Sequence, residues 1–266
     1  MSSAEARFGG IARLYGKAGA ATFRDARVAV IGLGGVGSWA AEALARSGVG
    51  SLLLMDLDDI CITNTNRQLH TTASTIGKPK TAAMAERLQD INPDAAVETI
   101  DAFYTASRPE RLFEKGPDLV VDAIDAMQPK AHLLAACRER CLPVVTCGGA
   151  GGRVDPSQVR VADLARSHGD NLLSSLRRIL RKDYGFPLAD KGPELGLPCV
   201  FSPEKPRFPQ CDGTIGCQRD GEFSGRMGCD AGFGAATHVT GVFGFMMAGA
   251  ALDLLLAKPE GKEKAR

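Results

Sequence analysis

RVAVIGLGGVGSWAAEALARS, residues 27–47, decides how this chain folds. Its first six residues form a short apolar run rich in β-branched side chains. Gly35 to Ser47 then continues in helix-forming residues, so the stretch predicts strand, tight turn and helix. The junction, Gly32-Leu33-Gly34-Gly35-Val36-Gly37, fits the pattern G-x-G-x-x-G. In that pattern Gly32 permits the turn, Gly34 lets backbone approach a phosphate, and Gly37 lets the helix pack close to the strand. Free N–H groups and the dipole at the helix N-terminus favour an anion there. As a lone motif the pattern is weak, but its place between a strand and a helix makes it a nucleotide site.

The same rhythm continues downstream. SLLLMD (51–56) is a second buried strand, and KPKTAAMAERLQDIN (78–92) has apolar residues at helical spacing until Asn92-Pro93 ends it. AAVETID (95–101), DLVVDAID (118–125) and LPVVTCG (142–148) supply further strands, and PKAHLLAACRERC (129–141) is a helix between the last two. Strands alternating with helices imply a parallel sheet covered on both faces. The expected class is therefore α/β, a Rossmann-like, doubly wound, mostly parallel sheet. From GGAGGRVDPSQ (148–158) the pattern changes to short polar strands, a basic amphipathic helix near 170–182 and a Pro/Gly-rich tract at 185–228. This predicts a nucleotide-binding region, 1–155, and an elaborated C-terminal part, 156–266, packed as one domain with it.

Composition narrows the partners without naming one. The chain has 266 residues, 44% hydrophobic and 24% charged, which is ordinary for a globular protein. A formal charge of +1 gives no global pull toward nucleic acid or anionic membrane, so any such partner must be held by a local patch. MSSAEARFGG lacks the basic and apolar regions of an export signal, so the expected compartment is the cytoplasm. Cysteines stand at 61, 137, 141, 147, 199, 211, 217 and 229 with no Cys-x-x-Cys pair, so the usual zinc spacing is missing and each is expected to be a small buried hydrophobe. Ala231–Ala257 is long enough to span a bilayer but carries His238 and Asp253, and is expected to be a buried or subunit-facing helix.

Asp56 lies 19 residues after Gly37 at the end of the second strand, where a carboxylate accepts hydrogen bonds from ribose hydroxyls. To this point NAD and ATP are served equally. The polar crowd that follows, Asn64, Asn66, Arg67 and Gln68 with Lys80 beyond, favours a triphosphate, because the glycine loop already serves a pyrophosphate. At about 4 Å and an effective dielectric near 20, each cation–phosphate pair gains roughly 4 kcal/mol before desolvation. Arg67 can fork onto two oxygens and Lys80 supplies a point charge. Asp125 falls at the carboxyl end of a later strand, where a lone carboxylate beside phosphates suits Mg2+. Asp122 is the other candidate, and a helix cap before Met127 is the plainer reading of Asp125.

Together GLGGVGS (32–38), Asp56 of MDLDDI, Asn64, Arg67 and Gln68 of NTNRQ, Lys80 of GKPK and Asp125 of DAID resemble the adenylating family of ubiquitin-activating enzymes, ThiF and MoeB. The resemblance implies that these positions, with Gly34, Gly35 and Gly37, bind ATP, its ribose, its phosphates and Mg2+, and that Arg67, Lys80 and Asp125 act in catalysis. Two departures point to a different branch from the sulfur-carrier enzymes. The zinc pairs are absent, and the arm arginine falls at Gly10, with Arg7 or Arg13 the nearest substitutes. RFGGIARLYG (7–16), AIDAMQPKA (123–131), TCGGAGGRVDPSQ (146–158) and GFGAATHVTGVFGF (232–245) resemble the tRNA threonylcarbamoyladenosine dehydratase branch.

That resemblance implies ATP-dependent activation of the threonylcarbamoyl carboxylate beside the tRNA anticodon, followed by cyclisation with loss of water. It implies tRNA as partner, a homodimer, and a sulfur-transfer partner that would give Cys229, or else Cys217, a chemical role. His238 follows Cys229 by nine, while His70 and His132 read as structural. For tRNA the local signal is SSLRRILRKDYG (174–185), with Arg177, Arg178, Arg181 and Lys182 opposite Leu173, Leu176 and Leu180. The alternative is an adenylating enzyme for a small sulfur-carrier or ubiquitin-like protein.

Overall fold

The apolar runs form strands where their sequence predicts them: β1 (Arg27–Ile31), β2 (Ser51–Asp56), β3 (Ala96–Asp101), β4 (Leu119–Asp122) and β5 (Val144–Cys147). In the computed structural model, which describes residues 3–187, 192–210, 213–217 and 234–257, they join β6 (Arg160–Asp163) and β7 (Pro198–Phe201) in one sheet of order β3-β2-β1-β4-β5-β7-β6. All neighbours pair in parallel except β6, which runs antiparallel to β7 at the edge. Central strands are buried along nearly their whole length, as a sheet covered on both faces requires, whereas edge strand β3 is largely wetted. β4 stops at Asp122, three residues earlier than its apolar run suggests, because Ala123–Ala126 leave the ladder to form a loop. β6 and β7, beyond residue 156, thus extend the same sheet that the glycine motif begins, while Phe208–Pro209 and Ile215–Gly216 pair antiparallel in a separate two-stranded ribbon.

The helices are α1 (Ser3–Asp25, broken at Gly16), α2 (Gly37–Arg46), α3 (Lys80–Ile91), α4 (Glu110–Phe113), α5 (Met127–Glu139), α6 (Asn171–Tyr184) and α7 (Thr237–Leu256). Strand side chains alternate between two cores. Val28, Val30, Leu52, Leu54 and Val121 face Phe23, Leu44, Met84, Phe243 and Met247 of α1, α2, α3 and α7. Ala29, Ile31, Leu53, Met55 and Val120 face Leu112, Leu133, Leu134, Leu173 and Leu176 of α4, α5 and α6.

The apolar helix α7 meets the length and composition of a membrane span, yet 56% of its most apolar window is buried inside the protein. Val239, Phe243, Met247, Ala251 and Leu255, spaced by four, point into the core, while Phe245 stays half exposed. Contact with α2 is backbone-close: a Cβ on Gly244 would lie 2.6 Å from Trp39 Cβ and 2.7 Å from the Val36 carbonyl.

Burial of the cysteines divides. Cys137, Cys147 and Cys199 are buried, and burial pushes the thiols of Cys137 and Cys147 up to about 12 and that of Cys199 well above its usual range. Cys61, Cys141 and Cys217 are exposed, contrary to expectation. Cys61 caps a short 3-10 turn and Cys141 sits at φ 51° just past α5, both outside regular elements whose faces enforce burial.

Gly244→Ala is expected to lose about 1–3 kcal/mol through overpacking of α2 against α7. Gly249→Ala, on the same helix with no atom within 4 Å of the added carbon, should gain up to about 1 kcal/mol from helix propensity. Thermal unfolding of the two variants checks the pair; equal midpoints would mean that the two helices do not touch.

Candidate functional site

The glycine loop leaves β1 at Gly32, whose φ of +87° belongs to the left-handed region, and a Cβ there would sit 2.9 Å from the Ala123 carbonyl. At Gly37 an added Cβ would overlap the Gly32 carbonyl oxygen, so strand and helix approach as closely as two backbones can. Gly35 lies against Arg67, with its missing Cβ 3.2 Å from Arg67 Cγ. Gly34 differs: no atom of the described residues stands within 4 Å of its missing side chain. That openness is what a phosphate approached by backbone needs.

Both ends of the Leu33 peptide are gripped. Its N–H donates to Asp56 Oδ2 at 2.6 Å, and its carbonyl accepts from His70 Nε2 at 2.8 Å. Because a carbonyl only accepts, Nε2 carries the proton and Nδ1 is bare; that atom is buried without a partner among the described residues. Asp56 is 7% exposed and its other oxygen accepts from Asp58 N at 2.9 Å. The residue expected to hold a ribose therefore also shapes the loop, and each oxygen keeps a further lone pair toward a ligand.

The polar crowd is tied down residue by residue. Asn64 Oδ1 accepts from Cys61 N at 3.1 Å, closing the turn that follows β2. Arg67 Nη1 donates to the Thr63 carbonyl at 2.9 Å and to Asn66 Oδ1 at 3.0 Å. Its own carbonyl accepts from Trp39 Nε1 and Thr240 Oγ1, anchoring the segment to α2 and α7. Gln68 is buried and its Oε1 has no partner among the described residues. Lys80 opens α3, is 5% exposed, and pairs at 2.6 Å with the half-exposed Asp58. Its positive charge adds to burial in lowering the His70 pKa.

Asp125 is exposed on the loop after β4, beside the glycine loop through the Gly32–Ala123 contact. It is not a helix cap: α5 starts on Ala126 with no side-chain cap. Asp122 is excluded as a metal ligand, since it is fully buried against Lys130 at 2.8 Å. Lys130 Nζ also reaches the Ile124 carbonyl at 3.0 Å, and Asp122 accepts from Ile124 N at 3.1 Å and Thr146 Oγ1 at 2.7 Å. This network holds the loop that presents Asp125. Burial alone would pull the Lys130 ammonium down, but the Asp122 charge and hydrogen bond leave it raised. The sequence carried a signal for it: Lys130 heads the stripe Leu133, Leu134, Cys137 at helical spacing, a lysine on an apolar face.

Among the described residues no group of three or more His, Cys, Asp or Glu could hold a metal. A lone carboxylate such as Asp125 fits an ion that shares its coordination with phosphates. Cys229 lies outside the described residues, and Cys217 is exposed. His132 pairs with Tyr104 and His70 with the loop, as structural roles predict, while His238 bonds the Val154 carbonyl at 3.1 Å. On α6, Leu173, Leu176 and Leu180 are buried and Arg178, Arg181 and Lys182 exposed. Arg177 leaves that basic face, donating to the Ser167 carbonyl at 2.8 Å. Arg7 contacts the Ile91 carbonyl at 3.5 Å.

The profile described as the ThiF family matches residues 10–266. The chain belongs to the ThiF family. Among its members, the tRNA threonylcarbamoyladenosine dehydratase of Escherichia coli is 48% identical over 254 residues, covering 95% of this chain and 94% of that protein. The Haemophilus influenzae protein of the same name is 47% identical, covering 96% and 95%. A crystal structure of the E. coli dehydratase in complex with ATP superposes with a TM-score of 0.83 at 44% identity over 97% of both chains. The doubly wound, mostly parallel fold expected from the sequence is thus a ThiF-family fold.

Lys130→Met strands Asp122 in the core and is expected to cost about 3–5 kcal/mol, with Lys130→Met/Asp122→Leu losing less, in denaturant titrations. Burial holds the His70 pKa below its usual 6.5, with the Lys80 charge adding to it. Below pH 6.5 the unfolded chain takes that proton first, so stability falls with pH until folded His70 also titrates. His70→Gln, which keeps a donor for Leu33, should flatten this decline over about pH 5 to 6.5, leaving the contribution of His132, whose pKa burial also lowers. An unchanged slope would place the titration elsewhere.

Proposed function

We propose that this chain is an ATP-dependent tRNA threonylcarbamoyladenosine dehydratase, which adenylates the threonylcarbamoyl carboxylate beside the anticodon and lets it cyclise. The observation that carries the reading is near-full-length identity of 48% to a protein of that name. Its support in the geometry is an edge where an open glycine loop, a gripped carboxylate and two cations converge, which suits a triphosphate better than a redox cofactor.

In this mechanism the glycine-loop amides and Asp56 seat the nucleotide, and Arg67 and Lys80 neutralise its phosphates. Lys80 exchanges Asp58, its partner in the free site, for phosphate oxygen. Mg2+ at Asp125 supplies further charge neutralisation when bound. The substrate carboxylate oxygen attacks the α-phosphorus, and the bond to the β-phosphate oxygen breaks with release of pyrophosphate. A nucleophile of the same substrate then attacks the activated acyl carbon, and the oxygen formally lost as water departs on AMP. The site's work is positioning and charge neutralisation.

The same reading takes the enzyme as cytoplasmic and as a homodimer, the latter supported by the exposed apolar side chains Phe245 and Leu256 on α7. It leaves Cys229 the candidate for a sulfur-transfer partner.

AMP release measured with threonylcarbamoyl-modified tRNA, with a small carrier protein ending in Gly-Gly, and with neither is expected to respond only to the tRNA. Arg67→Ala and Asp125→Ala should each reduce it by about 100-fold or more while circular dichroism stays unchanged. Release that depends on the carrier instead would replace this reading.

A further inference from the structure

We propose that the cleft between the first turn of α5 and the outer face of α6 seats a backbone phosphodiester of the tRNA, close to the nucleoside being modified. This rests on the tRNA reading above and gives it a location.

A chain of net charge +1 cannot draw a polyanion by its overall field, so the contact must be made by cations left unpaired in one place. Several arginines of the chain are already committed. Arg140 pairs with Glu110, Arg153 with Asp170 and Arg166 with Glu194. Arg178 and Lys182 are different: both are exposed, they stand one helical turn apart, and neither has an ion-pair partner among the described residues. Together with Gln128, Ile179 and Asp183 they line a cleft of 360 Å3.

Its position matters as much as its charge. Gln128 belongs to the first turn of α5, three residues beyond Asp125, so the cleft opens at the carboxyl edge where the candidate active site lies. A phosphate held there would be a near neighbour of a substrate group presented to that edge. The cationic wall is also rigid. Asp170 caps α6 through Leu173 N at 2.9 Å, accepts from Gly149 N at 3.0 Å, and pairs in the core with Arg153. Leu173, Leu176 and Leu180 fix the opposite face. With its backbone held, α6 offers Arg178 and Lys182 at defined places, and Gln128 adds an amide donor. Asp183 on the rim opposes a phosphate, leaving the lining one charge positive. That predicts a contact which orients more than it binds, and a substitution that should strengthen it.

The test is a binding titration of the full-length protein with threonylcarbamoyl-modified tRNA across a salt series, alongside steady-state kinetics. Arg178→Gln/Lys182→Gln is expected to raise the Kd for tRNA about tenfold and to flatten the slope of log K against log salt by about 0.7 to 0.9 per cation removed. The KM for ATP should not change. Asp183→Asn is expected to tighten tRNA binding a few-fold, a gain that damage to the helix could not give. If the wild type converts modified tRNA but the double variant binds it with wild-type affinity and salt slope, the cleft is not the seat and the dehydratase reading stands. If the wild type neither binds nor converts modified tRNA, both fall together.

Discussion

There is no room for one carbon atom at Gly37. The carbonyl of Gly32 occupies the place where a side chain would begin, and that contact sets how β1 turns into α2. The remaining geometry of the edge follows from it. Because the turn is this tight, the Leu33 peptide projects where Asp56 from β2 and His70 from the polar segment can hold its two ends. Because Gly32 lies against Ala123, the loop after β4 is brought alongside, and with it Asp125. Two other connections, β2 to α3 and β4 to α5, are thus registered against one turn.

Much of this was legible in the chain. Central strands of a parallel sheet read as unbroken apolar runs, and β1, β2 and β5 lie within a residue or two of the runs that predict them. The glycine pattern, Asp56, Arg67 and Lys80 were legible because each answers to a local rule of spacing. β4 was read too long because Ala123 and Ile124 are apolar in sequence yet belong to a loop, held there by Lys130 and Asp122 rather than by strand pairing. Periodicity sees which face a residue occupies and not which polar atom it meets.

What the sequence withheld is the support behind the contacts. His70 reads as a structural histidine, but its partner is the loop carbonyl 37 positions away. Asp122 and Asp125 look alike three residues apart, and only folding separates them, one buried against an ammonium and the other open to solvent. Lys130 was written in plain sight on an apolar stripe, where an ammonium survives only if a carboxylate meets it. The exposed cysteines failed the burial rule for the converse reason, that turns impose no face.

Lys80 and Asp58 show how such an edge stays poised. A lysine 5% exposed cannot be left without a counter-charge, and Asp58 provides it at 2.6 Å. Yet the Asp58 side chain is 53% exposed, so water screens the pair and the carboxylate loses little on swinging out. A polyphosphate offers Lys80 more negative charge than one carboxylate does. In the mechanism proposed above, the exchange would therefore run toward the ligand, with Asp58 returning once the products leave. His70, bare at Nδ1 and neutral, adds no competing charge to that exchange. On that proposal the pair favours a triphosphate over a neutral or weakly charged nucleotide tail, which cannot offer Lys80 more negative charge than Asp58 does.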